Sequence, residues 1–297
     1  MAATKRANSG AVKKPKLGQN FLADVGAAEH IVDALGDVSN SVVVEIGPGK
    51  GALTQVLARR AHRLIAVELD RMMSTELRFK YRLQPQVEII EADVLKLDFR
   101  TVLNRTIGPL NDLRPLKPSR ARVIGNLPYY ITSDILLRLF EFHEQFDVIV
   151  IMVQREVADR IAAHPGTRDY GMLSATAQLY TKVENLFTLP PEAFSPPPKV
   201  HSSVLRLTVA PRFAELQVDP AKFIAFLKTA FAMKRKTLLN NLKKDYSEEV
   251  VRNSLKEAGV RADVRAEALP LETTAQIFRK LRTNHKGHEG TRRKDKD

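Results

Sequence analysis

The stretch "SVVVEIGPGKGALTQVLARRA", residues 41–61, decides the fold. It opens with an apolar run and turns through Gly47, Gly49 and Gly51. It continues with Leu53, Val56 and Leu57 at the spacing of one helix face. A buried strand, a glycine turn and a helix, in that order, are the first unit of a parallel α/β sheet. Glycines there let a ligand approach the backbone, and the helix start offers free N–H groups. The turn is not a P-loop, because no Gly-Lys-Ser/Thr follows. It reads G-x-G-x-G rather than the G-x-G-x-x-G of a dinucleotide fingerprint. Taken alone it also fits a tight turn with no ligand.

Working outward, the pattern repeats. "RLIAVELD" (63–70), "QVEIIEAD" (86–93), "ARVIGNL" (121–127) and "QFDVIVIMV" (145–153) are further short apolar runs. Helical periods follow at "RMMSTELRFKYRL", "SDILLRLFEFH" and "QREVADRIAA". Strands alternating with helices predict an open sheet covered on both faces. "NLFTLP" and "SSVLRLTV" add two strands at an antiparallel edge, and "PLNDLRPLKPSR" (109–120) reads as a loop. From "APRFAELQVDP" (210–220) onward the pattern is helical: Phe223, Phe226, Leu227, Ala230 and Phe231 form one stripe, and Ser247 caps a helix that stops at Gly259. The expected organisation is a basic arm (1–16), an α/β domain (17–210), a small all-helical domain (211–283) and a disordered charged tail (284–297).

Composition narrows the function. The 297 residues carry a formal net charge of +13, which favours a polyanionic partner: nucleic acid first, an anionic membrane surface second. Without cysteine there are neither disulfides nor thiolate metal sites. "VIVIMV" at 148–153 is too short to span a membrane. The N-terminal stretch lacks the apolar segment of a secretory signal.

The predicted strand ends place chemistry along one rim. Glu68 ends the second strand, where a carboxylate accepts from both hydroxyls of a ribose. Asp93 ends the third, in reach of an adenine amino group, and Asn126 ends the fourth. In an open α/β sheet ligands bind outside the carboxyl ends of the strands. Each acid alone also fits a helix N-cap.

These residues sit in motifs that resemble the rRNA adenine N6-dimethyltransferases, the bacterial branch that dimethylates two adjacent adenosines near the 3′ end of small-subunit (16S) rRNA. The resemblance runs from about Lys14 to Leu281. It rests on "PKLGQNFL" (15–22), "EIGPGKGALT" (45–54), "AVELD" (66–70), "EADVLKLD" (91–98), "GNLPYYIT" (125–132), "AFSPPPKVHSSV" (193–204) and "FAMKRKTLLNNL" (231–242). It implies a Rossmann-like class I methyltransferase domain, S-adenosyl-L-methionine as cofactor and no metal. It further implies a cytoplasmic monomer acting on rRNA within a pre-assembled 30S subunit. By resemblance, Gln19, Asn20 and Leu22 close over the methionine end of the cofactor. Gly47 approaches its backbone, Glu68 holds the ribose, Asp93 reads the adenine, and Asn126 lies between cofactor and target base. His201 departs from the family pattern, where an acid commonly follows "PPPKV".

The exocyclic amine of adenine is a poor nucleophile and needs polarisation and aim. The Asn126 side-chain oxygen and the Pro128 carbonyl are the expected acceptors of its two N–H groups. Tyr129 is expected to stack on the flipped base, with Phe194 on its other face and Tyr130 a packing residue. Lys13, Lys14 and Lys16 in the arm, and Lys234, Arg235 and Lys236 at a helix start, are the expected RNA-phosphate contacts. A dehydrogenase would leave "NLPYY" unexplained. A large-subunit rRNA methyltransferase shares the chemistry, and an assembly factor with an inactive site would not need Glu68, Asp93, Asn126 and Tyr129 intact.

Overall fold

The computed structural model describes residues 20–105 and 120–292. The described residues form nine strands: β1 (Phe21–Leu22), β2 (Val42–Ile46), β3 (Arg63–Glu68), β4 (Val87–Glu91), β5 (Ala121–Asn126), β6 (Phe146–Gln154), β7 (Thr181–Leu189), β8 (Phe194–Ser195) and β9 (Ser202–Val209). The helices of the sheet domain are α1 (Val25–Asp33), α2 (Ala52–Arg60), α3 (Arg71–Lys80), α4 (Phe99–Arg105), α5 (Thr132–Glu141), α6 (Arg155–Ala162) and α7 (Met172–Tyr180). They are followed by α8 (Phe213–Leu216), α9 (Pro220–Ala230), α10 (Leu238–Leu242), α11 (Glu248–Glu257) and α12 (Leu271–Arg292).

Seven strands form one sheet in the order β4-β3-β2-β5-β6-β9-β7. The pairs from β4 to β6 are parallel, and β9 runs antiparallel to both β6 and β7. The chain winds outward from β2 through β3 to β4, then returns to the other side of β2 as β5. That reversal opens a crevice between the carboxyl ends of β2 and β5. The two strands approach closely there: a Cβ on Gly125 would lie 2.7 Å from the Ile46 carbonyl oxygen, so only glycine fits.

The predicted helix face of Leu53, Val56 and Leu57 is buried. One apolar cluster fills one side of the sheet with Phe99, Leu136, Phe140 and Phe146, and a second fills the other with Ile31, Leu57, Ile124 and Phe194. A third holds the helical region together around Phe223, Phe226, Leu239 and Phe278. This third core also takes in Tyr170, Ala175 and Leu179, so α7 packs into both parts of the molecule. Ser247 caps α11 through the Val250 amide, as its sequence predicts.

The sequence pattern does not mark helices α1, α4, α7 and α8 or the two-residue strands β1 and β8. The last helix is continuous to Arg292, so it enters the charged stretch 284–297 expected to be disordered. No proline follows Pro270 to stop it. The loop 109–120 lies outside the described residues except for Arg120.

A candidate active site at the carboxyl ends of the strands

The glycine turn leaves β2 at Ile46 and closes against the end of β3. The Gly49 amide donates to Glu68 Oε2 at 3.0 Å, and the Asp70 amide donates to Glu68 Oε1 at 2.9 Å. Glu68 is only 3% exposed, yet it lines the cleft. Its carboxylate has lone pairs left for a ligand's hydroxyls. Gly49 has φ of 55°, and a Cβ there would lie 2.9 Å from the Phe21 ring, so backbone and packing both require glycine. Lys50 Nζ lies 4.9 Å from the centre of the same ring.

Glu45, on β2, faces the same crevice and is 1% exposed. Its Oε2 accepts from Thr54 Oγ1 at 2.7 Å. Burial pushes its carboxyl up to about 8; the Thr54 hydrogen bonds oppose that and the nearby Glu68 charge adds to it. An acid whose folded pKa is raised binds its proton more tightly when folded. Its favourable contribution is present at low pH and is lost as pH rises from the ordinary carboxylate range through about 8. Glu45→Gln, which imitates the protonated acid, should flatten this fall by up to about 1.4 kcal/mol per pH unit. Chemical denaturation of both chains between about pH 6 and pH 8 checks it; parallel pH profiles would mean Glu45 titrates normally.

Asn126 ends β5, 106 residues beyond its partner: its Nδ2 donates to the Asn20 carbonyl at 3.0 Å. That bond fixes which end of the amide is which. The oxygen is left as an acceptor, with no donor on it among the described residues. Asp93 caps the short turn Val94–Lys96 through the Leu95 amide at 3.0 Å and also lines the cleft, so the capping and ligand-facing readings coexist. Asn20, Leu22, Gly47, Glu68, Asp93 and Asn126 all border this one cleft.

Two catalytic expectations and one packing expectation meet a geometry the sequence does not show. The Pro128 carbonyl already accepts from the Ile131 amide at 3.2 Å and from Thr132 Oγ1 at 3.1 Å, because it opens the first turn leading into α5. The Leu127 carbonyl has no such donor among the described residues. Phe194 is 3% exposed and sits in the core with Leu22, because β8 pairs with β1 in the register Leu22↔Phe194 and turns that ring inward. Pro196 and Pro197, which follow, are exposed, but Phe194 is not. Tyr130 is no packing residue: it is 65% exposed at the rim, whereas Tyr129 is half-buried with its hydroxyl 2.9 Å from Ser202 Oγ.

Sequence reading followed polar residues and missed the apolar walls: Phe21, Leu69, Ala92, Val94 and Ile135. Leu69, Ala92 and Val94 flank the rim acids, and that adjacency was the available signal. Lys234, Arg235 and Lys236 are exposed in the turn before α10, whose cap is Thr237, and Lys234 Nζ donates to the Arg168 carbonyl at 2.6 Å. Gln19, Lys13, Lys14 and Lys16 lie outside the described residues. Among the described residues no cluster of three His, Cys, Asp or Glu could hold a metal, and no helix is long and apolar enough to cross a membrane.

Residues 10–283 match the family model described as ribosomal RNA adenine dimethylase. The chain is 60% identical to a ribosomal RNA small subunit methyltransferase A of Koribacter versatilis over 95% of this chain and 98% of that one. It is 52% identical to the protein of the same name from Acidobacterium capsulatum, over 90% and 91%. Among solved structures it is similar to a dimethyladenosine transferase from Plasmodium falciparum, with a TM-score of 0.73, 24% identity and coverage of 90% and 98%. It is also similar to the 23S rRNA methyltransferase ErmE, with a TM-score of 0.63, 25% identity and coverage of 88% and 99%. The match takes in the glycine turn, the Asn126 strand end and the helical region together, and on that footing the chain belongs to the ribosomal RNA adenine dimethylase family.

Proposed function

We propose that this methyltransferase uses S-adenosyl-L-methionine to dimethylate N6 of two adjacent adenosines near the 3′ end of 16S rRNA, within a pre-assembled 30S subunit. It works as a cytoplasmic monomer. The observation that carries the reading is the Asn126 amide, tied through its nitrogen to Asn20 and left with its oxygen on the cleft that Glu68 and the glycine turn border.

The residues present fit the cofactor. Glu68 is placed for a ribose diol, and Asp93 keeps an oxygen for an adenine amine beside the apolar Leu69, Ala92 and Val94. The half-buried backbone at Gly47, on the cleft wall, and the segment Asn20–Leu22 remain for the methionine end. When bound, the cofactor supplies an electrophilic methyl group. The chain supplies the aim. Asn126 Oδ1 and the Leu127 carbonyl each accept an N–H of the adenine amine, draw its nitrogen toward tetrahedral geometry and stabilise the positive charge that develops there. The Tyr129 ring, steadied through Ser202, stacks on the flipped base. Lys234, Arg235 and Lys236, with Lys13, Lys14 and Lys16 of the arm, contribute phosphate contacts away from the pocket.

The test is transfer of labelled methyl groups to unmethylated small subunits, followed by mapping. Two adjacent dimethyladenosines near the 3′ end of the small-subunit RNA are expected. No label on the small-subunit RNA, or label only at nucleotides other than two adjacent adenosines near its 3′ end, would overturn the assignment.

A further inference from the structure

The end of β6 and the start of β9 carry residues that the mechanism leaves without a task. Gln154, the last residue of β6, is the register partner of Ser202, the first of β9. The Arg155 amide donates to the His201 carbonyl at 3.0 Å. Ser202 is 1% exposed and its Oγ lies 2.9 Å from the Tyr129 hydroxyl. Arg155 and His201 thus adjoin the Gln154–Ser202 pair along the chain, and Lys199 precedes His201 by two residues. All three are exposed. Among the described residues none has an ion-pair partner, although Glu156 and Asp159 lie close by on α6.

A base drawn into the cleft remains joined to its chain. The phosphates on either side of its ribose must stop at the mouth. Phosphate contacts of this kind set register and orientation rather than sequence. A guanidinium offers a fork that matches phosphate oxygens, an ammonium offers a point charge, and an imidazole offers an N–H donor.

We propose that Arg155, Lys199 and His201 form a phosphate-binding rim that grips the RNA backbone flanking the adenosine being methylated, positioning that base against Tyr129. The inference rests on the proposed function. It differs from the Lys234–Lys236 contact in place: it lies beside the catalytic tyrosine, and its loss should disturb delivery of the target nucleotide.

The experiment compares the full-length native chain with Arg155→Ala/Lys199→Ala/His201→Ala on unmethylated small subunits, at several salt concentrations. Cofactor affinity is followed separately by calorimetry. The triple variant should bind S-adenosyl-L-methionine as the native chain does and show its defect in KM rather than in the single-turnover rate at saturating RNA. The log–log salt dependence of kcat/KM should flatten by about 0.7 per lost cationic contact, so with Arg155 and Lys199 removed a fourfold rise in salt should cost the variant about sevenfold less than it costs the native chain. Arg155→Lys/Lys199→Arg should keep the native slope, and Lys199→Glu should raise KM more than Lys199→Ala. A native slope in the triple variant would overturn the rim, and so would a fall in kcat at unchanged slope, which is the mark of a structural role through Ser202. If the native chain methylates no small-subunit RNA, the proposed function fails first, and that result is distinct from a native enzyme whose salt slope ignores the three residues.

Discussion

Asn126→Ala should lower the single-turnover rate of methyl transfer about 10²–10³-fold while RNA binding falls far less. In the proposed mechanism the amide oxygen accepts at the point where positive charge develops, and its nitrogen is already committed to Asn20. RNA affinity is expected to come from dispersed charge, so removing this amide leaves it largely intact. Tyr129 gives the contrast. Tyr129→Ala should lose about 1–3 kcal/mol of stacking. Tyr129→Phe keeps the ring and loses only the bond to Ser202, a neutral pair worth about 1 kcal/mol. Single-turnover transfer on purified small subunits, with RNA binding measured alongside, decides the matter: a native rate in Asn126→Ala would reduce the amide to a turn residue.

The second large effect belongs to Glu68. In the proposed site Glu68→Ala would remove two charge-assisted hydrogen bonds to the ribose, each worth about 1.5–3 kcal/mol, so cofactor affinity should fall about 10²–10⁴-fold. The same carboxylate holds the Gly49 and Asp70 amides, so the alanine variant also loosens the glycine turn. Glu68→Gln separates the two roles. It keeps one acceptor oxygen for the turn but loses the charge, and its affinity should lie between native and alanine. Calorimetric titration with S-adenosyl-L-methionine reads both. Native affinity in both variants would assign Glu68 to the turn alone.

The parallel strands were legible because each is a continuous apolar run ending in a residue of a different kind: Gly47 just past β2, Glu68 on β3, Asn126 on β5. Burial on both faces erases alternation and leaves that unmistakable pattern. The same effect hid α7. Ser174, Ala175, Thr176, Ala177 and Leu179 are all buried, so the helix has no polar face for a 3.6-residue period to reveal. In α1 the opening Gly26, Ala27 and Ala28 give a weak stripe, and only Asp24 as cap marks the start. At the site, residue types were readable and directions were not. Whether Phe194 turns inward is set by a two-residue pairing with β1, and that pairing leaves no trace in composition. Whether the Pro128 carbonyl is free is set by the turn that follows it.

The Asn20–Asn126 bond joins segments 106 residues apart, and β1 finds its partner only at Phe194–Ser195. Contacts so distant along the chain cost more loop-closure entropy than local ones, by about 0.6 kcal/mol for each doubling of separation. The helices and the central strands can be in place, and the basic surface ready for RNA, before the amide is aimed. Catalytic competence is therefore a record of the folding history: a molecule whose amide is aimed has closed these long loops.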